Sequence, residues 1–259
     1  MALLIVNVEL NTSIHFYATA PYPCSYLPGH QARSQVAIPA DAIDDSVYSQ
    51  LVHIGFRRSG LFTYRPYCDQ CDACVSVRIP VAQFAPNRTQ RRVMRRHCGQ
   101  LQAIRRPLAF VWEHYELYRR YQASRHAEGS MADDNHHQYA EFILKSAVSS
   151  ELVEFRDGNG QLKMVSLIDV LGDGLSAVYT FFEPDEPQAS YGVYNVLWQV
   201  EESRRRGLPY LYLGYWIAAC RKMAYKTHYR PLERLRQGRW VSGDAQGADA
   251  AFEPLRWGE

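Results

Sequence analysis

Residues 164–230 read MVSLIDVLGDGLSAVYTFFEPDEPQASYGVYNVLWQVEESRRRGLPYLYLGYWIAACRKMAYKTHYR, and this stretch decides the fold. Two apolar runs, 161–171 and 176–182, flank Gly172-Asp173-Gly174, the pattern of two strands joined by a tight turn. A helix spans about Gly192 to Arg206, and a strand follows at 210–213. With a further strand at 152–156 the order is βββαβ, which predicts an α/β sheet with a mixed region. The last strand runs into a loop holding Tyr215, Trp216, Lys222, Tyr225, Lys226 and Tyr229. A core needs the rings but has no use for the ammonium groups, so this loop reads as a binding site.

Working outward, the chain of 259 residues suits one large domain or two small ones. It is 47% hydrophobic and 22% charged, ordinary for a soluble globular protein. No run approaches the roughly 18 apolar residues of a membrane helix, and MALLIVNVEL lacks the basic start of a secretory signal. A cytoplasmic protein is expected. The net charge of +2 is unevenly spread: eight arginines and no carboxylate lie between Val75 and Trp112. That stretch suits a polyanionic partner, or the solvated face of a helix. Asp44-Asp45-Ser46 predicts the cap of a helix over Val47, Leu51, Ile54 and Phe56 that ends near Gly60. Basic helix 88–98, helix 112–125 and a helix through Tyr139, Phe142, Ile143 and Ala147 follow. Pro107 marks the expected boundary between an N-terminal cysteine-containing basic domain, 1–107, and a second domain, 108–240. Residues 241–259 form a small, polar tail, loose or docked through Phe252, Leu255 and Trp257.

Cys68, Cys71 and Cys74 form C-x2-C-x2-C, which in a cytosolic chain favours a metal or redox site over disulfides. Such a turn converges on one ion, with Cys24 the expected fourth ligand and Asp69 and Asp72 in reserve. Buried reduced thiols are the alternative. Cys98 and Cys220 stand alone and read as structural.

The stretches GLSAVYTFFEP, GVY…LWQ-x-E and PYLYLGYWI…C-x-KM-x-YK…YRP resemble the C-terminal domain of the aminoacyl-tRNA–protein transferases of the N-degron pathway. These are the eukaryotic arginyltransferases and the bacterial aspartate/glutamate leucyltransferases. The resemblance spans about residues 20–240 and implies an acetyltransferase-like (GNAT-type) α/β, or α+β, domain beside a smaller cysteine-containing N-terminal domain. It implies transfer of an amino acid from charged tRNA to the N-terminal amine of a protein beginning with Asp or Glu, marking it for degradation. Zinc or an iron–sulfur cluster is implied at Cys24, Cys68, Cys71 and Cys74. Only the first cysteine of the family's early CGYC motif is kept, as Cys24-Ser25-Tyr26-Leu27, and three cysteines replace the later pair. No CoA and no membrane are expected. The short length and the cysteine pattern resemble the leucyl branch, with arginyl transfer the alternative.

The ester in this reaction is already activated, so alignment and oxyanion donors suffice and no covalent nucleophile is needed. No G-x-S-x-G or HExxH motif occurs. Asp169, an acid amid apolar neighbours, is a candidate to hold and deprotonate the attacking ammonium, or else a strand-end acid bonded to backbone. Tyr179, Tyr191 and Tyr194 are candidates to donate to the carbonyl or stack on the terminal adenine, unless they are core. Tyr212, Tyr215, Lys222 and Lys226 match the family motif and are assigned to substrate. Arg57 and Arg58 are assigned to the acidic acceptor residue. Arg88, Arg91, Arg92, Arg95 and Arg96 are assigned to tRNA phosphates, and the two sets of arginines are exchangeable. His30, His126, His136 and His137 read as loop or satisfied residues.

Two further readings compete. A CoA-dependent acetyltransferase shares the element order, but Ser190-Tyr191-Gly192-Val193-Tyr194 has one glycine and two bulky rings where pyrophosphate would be cradled. A noncatalytic zinc-dependent RNA-binding module explains the cysteines and arginines but leaves the Tyr/Trp/Lys loop without a purpose.

Overall fold

The computed structural model describes residues 13–125 and 135–243. Residues 244–259 of the expected tail, the first dozen residues and His126 lie outside them. In chain order the strands are β1 (His15–Ala18), β2 (Tyr22–Pro23), β3 (Gln31–Ala32), β4 (Ser34–Ile38), β5 (Arg57–Ser59), β6 (Phe62–Pro66), β7 (Val75–Pro80), β8 (Gln102–Arg106), β9 (Ser150–Arg156), β10 (Leu162–Leu171), β11 (Gly174–Phe182), β12 (Tyr210–Trp216), β13 (Glu233–Arg236) and β14 (Arg239–Ser242). The helices are α1 (Asp45–His53), α2 (Arg88–His97), α3 (Trp112–Arg125), α4 (His136–Tyr139) and α5 (Tyr191–Arg205).

Local chemistry sets these bounds. Asp44 caps α1 by accepting from the Val47 N–H at 2.8 Å. The helix ends at His53 rather than near Gly60, because Gly55, at φ +96°, turns the chain into β5. Gly60 instead makes the β5–β6 turn, where an added Cβ would lie 2.4 Å from the Glu141 carbonyl oxygen. Asn87 and Gln90 form a capping box at the start of α2. The helix expected through Ala147 is shorter: α4 is followed by a π-helical turn, Ala140–Leu144.

One eight-stranded sheet runs β14-β13-β7-β12-β11-β10-β9-β8, beside a four-stranded sheet, β1-β4-β6-β5, and the ribbon β2-β3. The βββαβ order of β9-β10-β11-α5-β12 is present. Strands β7 and β8, both before residue 107, belong to the large sheet, with β7 hydrogen-bonded between β12 and β13. Pro107 therefore does not divide the layers in space, because β7, buried throughout, lies within the large sheet. Helix α5, backed by α2, covers one face in a core with Val77, Ile79, Met164, Ile168, Leu197 and Val200. On the other face α3 packs on Leu167 and Phe181, and α1 packs on Leu171 and Tyr212. No described helix is long and apolar enough to cross a membrane.

At the β9 edge, buried Glu154 receives Arg156 Nε at 2.8 Å and lies 2.7 Å from His114 Nε2. Burial pushes the Glu154 carboxyl up, but the hydrogen bonds from Arg156 and His114 outweigh it and hold it down at about 2. A carboxylate depressed in the folded state stabilises above its unfolded value and loses that contribution on acidification. Unfolding by urea should therefore show stability falling from about pH 4.5 toward 2, and E154Q should remove that part of the fall.

Candidate functional site

The two parallel strands of the large sheet separate partway along their length. Strands β11 and β12 pair only at Gly174–Ser176 with Tyr210–Tyr212. Beyond that level β11 stays with β10 as far as Phe182, and β12 stays with β7 as far as Trp216. The register shifts at the same level on both sides, between Leu167 and Ile168 and between Tyr212 and Gly214. Gly214, at φ +75°, makes the second of these bends, and an added Cβ would lie 3.3 Å from Arg57 Nε. The splay opens at the carboxyl ends of the strands, where α/β sheets place their ligands. The start of α5 faces the same end, because this helix connects β11 to β12.

Two buried cations occupy the splay. Arg57 donates to Ser176 Oγ at 2.8 Å and to the Ala177 carbonyl. Lys226, on the 3-10 turn Arg221–His228, donates to the Tyr215 carbonyl. They are 9% and 5% exposed, and among the described residues neither has a carboxylate within ion-pair distance. A buried guanidinium is costly without an anion, and a second cation beside it raises the cost. Burial, and then the neighbouring Arg57 charge, push the Lys226 ammonium down to about 7. The rings around the pair are Tyr64, Tyr215 and Tyr225, the last exposed. This arrangement can seat one anionic group. Ser176, Ala177 and Gly214 had no signal in the sequence, since they supply a hydroxyl, a carbonyl and an absent side chain.

Arg58 and Asp169, expected in separate roles, are paired with each other. Arg58 Nη2 and Nε reach the two carboxylate oxygens at 2.6 and 2.8 Å, and Ser150 and Tyr48 complete the shell at 2.7 and 3.0 Å. Asp169 is fully buried, so in this structure neither charge faces a substrate. The pair ties β5 to β10 and carries Arg57, the adjacent residue, into the splay. The tyrosines are also largely structural in placement. Tyr179 donates to Gln122 Oε1 at 3.2 Å within the α3 core. Tyr191 donates to Glu186, and Tyr194 packs on His97 with ring centroids 5.0 Å apart. The Tyr212 hydroxyl turns to Asp173 and Arg78 at the opposite end of β12 from the splay. Tyr215 donates to the Gly55 carbonyl at 2.9 Å, fastening α1 to the sheet. Lys222 is exposed.

Helix α2 presents Arg88, Arg91, Arg92, Arg95 and Arg96 outward and buries Gln90, Val93 and His97. Many arginines elsewhere have carboxylate partners, among them Arg33 with Asp69, Arg120 with Glu183, Arg156 with Glu113 and Arg206 with Glu151. Among the described residues the five of α2 have none.

Cys24, Cys68, Cys71 and Cys74 are half-buried free thiols. The Tyr26 and Leu27 N–H groups donate to Cys24 Sγ at 3.5 and 3.4 Å. Burial pushes the Cys74 thiol up to about 12, with further contributions from Cys68, Cys24, Cys71 and Cys220. Cys220, read as structural from the sequence, is buried and acts on the same Cys74 thiol. Among the described residues no three His, Cys, Asp or Glu side chains stand in a metal-holding arrangement. The donor set is nevertheless uniformly soft, and the N–H groups aimed at Cys24 suit a thiolate.

The family description "Arginine-tRNA-protein transferase, N terminus" matches residues 22–92, and its C-terminal counterpart matches residues 113–236. Proteins named aspartate/glutamate leucyltransferase are close relatives. The one from Chromobacterium violaceum is 69% identical over 228 residues, covering 88% of this chain and 93% of the relative. Those from Thiobacillus denitrificans and Pseudomonas aeruginosa are 58% and 49% identical, covering 90% and 88% of this chain and 96% and 97% of theirs. Among solved structures, L-PGS from Bacillus licheniformis is 10% identical with a TM-score of 0.39, over 55% of this chain and 45% of that one, too slight a likeness to argue from.

The Arg58–Asp169 pair yields a stability prediction. D169N should lower unfolding free energy by about 3–5 kcal/mol, because it strands a buried guanidinium. An apolar double replacement, R58M with D169L, should cost less than D169N alone, as read by urea unfolding. Over three quarters of its length matched in order, and with relatives identical at 58% and 69% of the aligned positions, this chain belongs to the arginine-tRNA-protein transferase family.

Proposed function

We propose that this protein transfers leucine from aminoacyl-tRNA to the N-terminal amine of proteins beginning with Asp or Glu. The observation that carries the acceptor specificity is the Arg57–Lys226 pair, two buried cations without an anion of their own among the described residues. The carboxylate of an acceptor Asp or Glu supplies that anion, and the free N–H groups of the Arg57 fork suit it. The leucyl donor rests on the names of the close relatives. The acyl donor is then an ester on tRNA rather than CoA, consistent with the bulky rings at the start of α5.

The reaction needs an amine and an ester carbonyl held together. Seating the acceptor carboxylate at Arg57 places the α-amine, three bonds from the carboxyl carbon in Asp and four in Glu, in the splay between β11 and β12. Attack on the ester carbonyl forms the amide, breaks the bond to the ribose oxygen and leaves the tRNA with a free hydroxyl. The α2 arginines bind the tRNA phosphates. The element order β9-β10-β11-α5-β12, with its splayed parallel pair, supports the GNAT-type reading of the fold.

Cys24, Cys68, Cys71 and Cys74 would hold zinc or an iron–sulfur cluster. Bound there, the metal would lock together the β2–β3 ribbon and the segment leading into β7, a structural contribution. Metal analysis of purified protein should find one centre per chain, lost in C71S.

The direct test offers separately charged Leu-tRNA and Arg-tRNA with peptides beginning with Asp, Glu, Arg and Ala. Leucine on Asp and Glu peptides alone is the expected result. Arginine on the same peptides would move the protein to the other branch, and transfer of neither would defeat the reading. In the same assay R57Q should lower kcat/KM for acidic acceptors about a hundredfold, mainly through KM, with melting temperature measured alongside.

A further inference from the structure

The arginine helix borders a feature that phosphate binding does not use. Between α2 and α5 lies a groove of about 260 Å³, walled by Phe84, Pro86, Met94 and Leu197 and rimmed by Arg91, Arg95 and Glu201. It is smaller than the roughly 300 Å³ at which pockets for drug-sized ligands begin, which limits it to about one ring system. Its walls are apolar, so a phosphate inside would lose its hydration and gain nothing in return. Glu201, exposed on the rim and paired with Arg204 at 2.5 Å, would also repel it.

A flat, uncharged ring meets neither objection. Arg91 and Arg95 are one helical turn apart on the rim, and the Arg91 guanidinium is held by the Pro86 carbonyl at 2.6 Å. Guanidinium planes stack on bases. The Glu201 carboxylate accepts hydrogen bonds, and the exocyclic amines of adenine, cytosine and guanine donate them. Leu197 lies six residues into α5, about 9 Å along the axis from the helix start at 1.5 Å per residue. Glu201 lies four residues further on, and Phe84 is held by Arg204 near the end of α5, so the groove extends away from the splay and suits a base upstream of the reacting 3′ end.

We propose that the groove between α2 and α5 takes one unpaired base of the bound tRNA, stacked on Arg91 and Arg95 with Glu201 accepting from its amine. This rests on reading α2 as the face that binds the tRNA backbone. A polyanion is already drawn to that face by five arginines without carboxylate partners among the described residues, and the groove opens within the same face.

The test uses the full chain and uncharged leucine-accepting tRNA carrying 2-aminopurine at each unpaired 3′ position in turn. One position should change its emission on binding the wild-type protein, and M94W, which fills the groove, should abolish that change. By anisotropy M94W should weaken tRNA binding about tenfold, the scale of one lost stacking contact, with the slope of log affinity against log salt unchanged. R88A, away from the groove, should instead lower the slope by about one. If no 2-aminopurine position responds to the wild-type protein while the salt slope is steep, the groove proposal fails and the α2 reading stands. A wild-type protein with no salt-dependent tRNA binding would defeat both. The wild-type fluorescence needs no variant, so a misfolded M94W does not leave the matter open. Self-association abolished by M94W, with no fluorescence change, would give the groove to a second copy of the chain.

Discussion

The parting of β11 from β12 governs the rest of this structure. Two parallel strands that pair for three residues and then diverge leave backbone groups facing each other across a gap, and buried backbone groups need partners. Arg57 and Lys226 supply them by donating to the Ala177 and Tyr215 carbonyls. Each thereby brings a charge into the interior. The cost of that charge is what gives the splay an affinity for an anion. Bends in both neighbouring strand pairs hold the gap open, and Gly214 makes room for the guanidinium.

The placement of Arg57 depends on its neighbour. Arg58 is locked to Asp169 by two hydrogen bonds at 2.6 and 2.8 Å in a fully buried setting. Consecutive strand residues point to opposite faces, yet β5 lies at the edge of the small sheet, where both side chains reach the large one. One arginine is spent on structure so that the other can be presented without a carboxylate. The same division holds across the molecule. Arginines at β8, α3 and the end of α5 are tied into ion pairs, and those of α2 face outward unpaired among the described residues.

Periodicity and caps made much of the fold legible. The bounds of α3 match the expected 112–125, and α2, β10, β11 and α5 lie within two residues of expectation, because each has its own start or stop signal. The exceptions have physical causes. Helix α1 stopped early because Gly55, not Gly60, takes the left-handed turn, and a π turn ended the helix that was expected to reach Ala147. The position of β7 was not legible, since a short strand of alternating Val, Ser, Val, Arg and Ile is equally fit for either sheet. Within the site, Arg57 and Lys226 were named for substrate, but their proximity was not readable across 168 intervening positions.

The sequence by itself determined most of the elements, the basic helix and the family, because each is carried by local spacing or by residues quoted in order. Only the tertiary structure decided which charges are spent and which are available. Asp169 and Arg58 neutralise each other, Tyr212 and Tyr215 fasten the sheet, and Arg57 meets Lys226 in the splay. Charge compensation is a property of distance and burial, and residue order along a chain specifies neither.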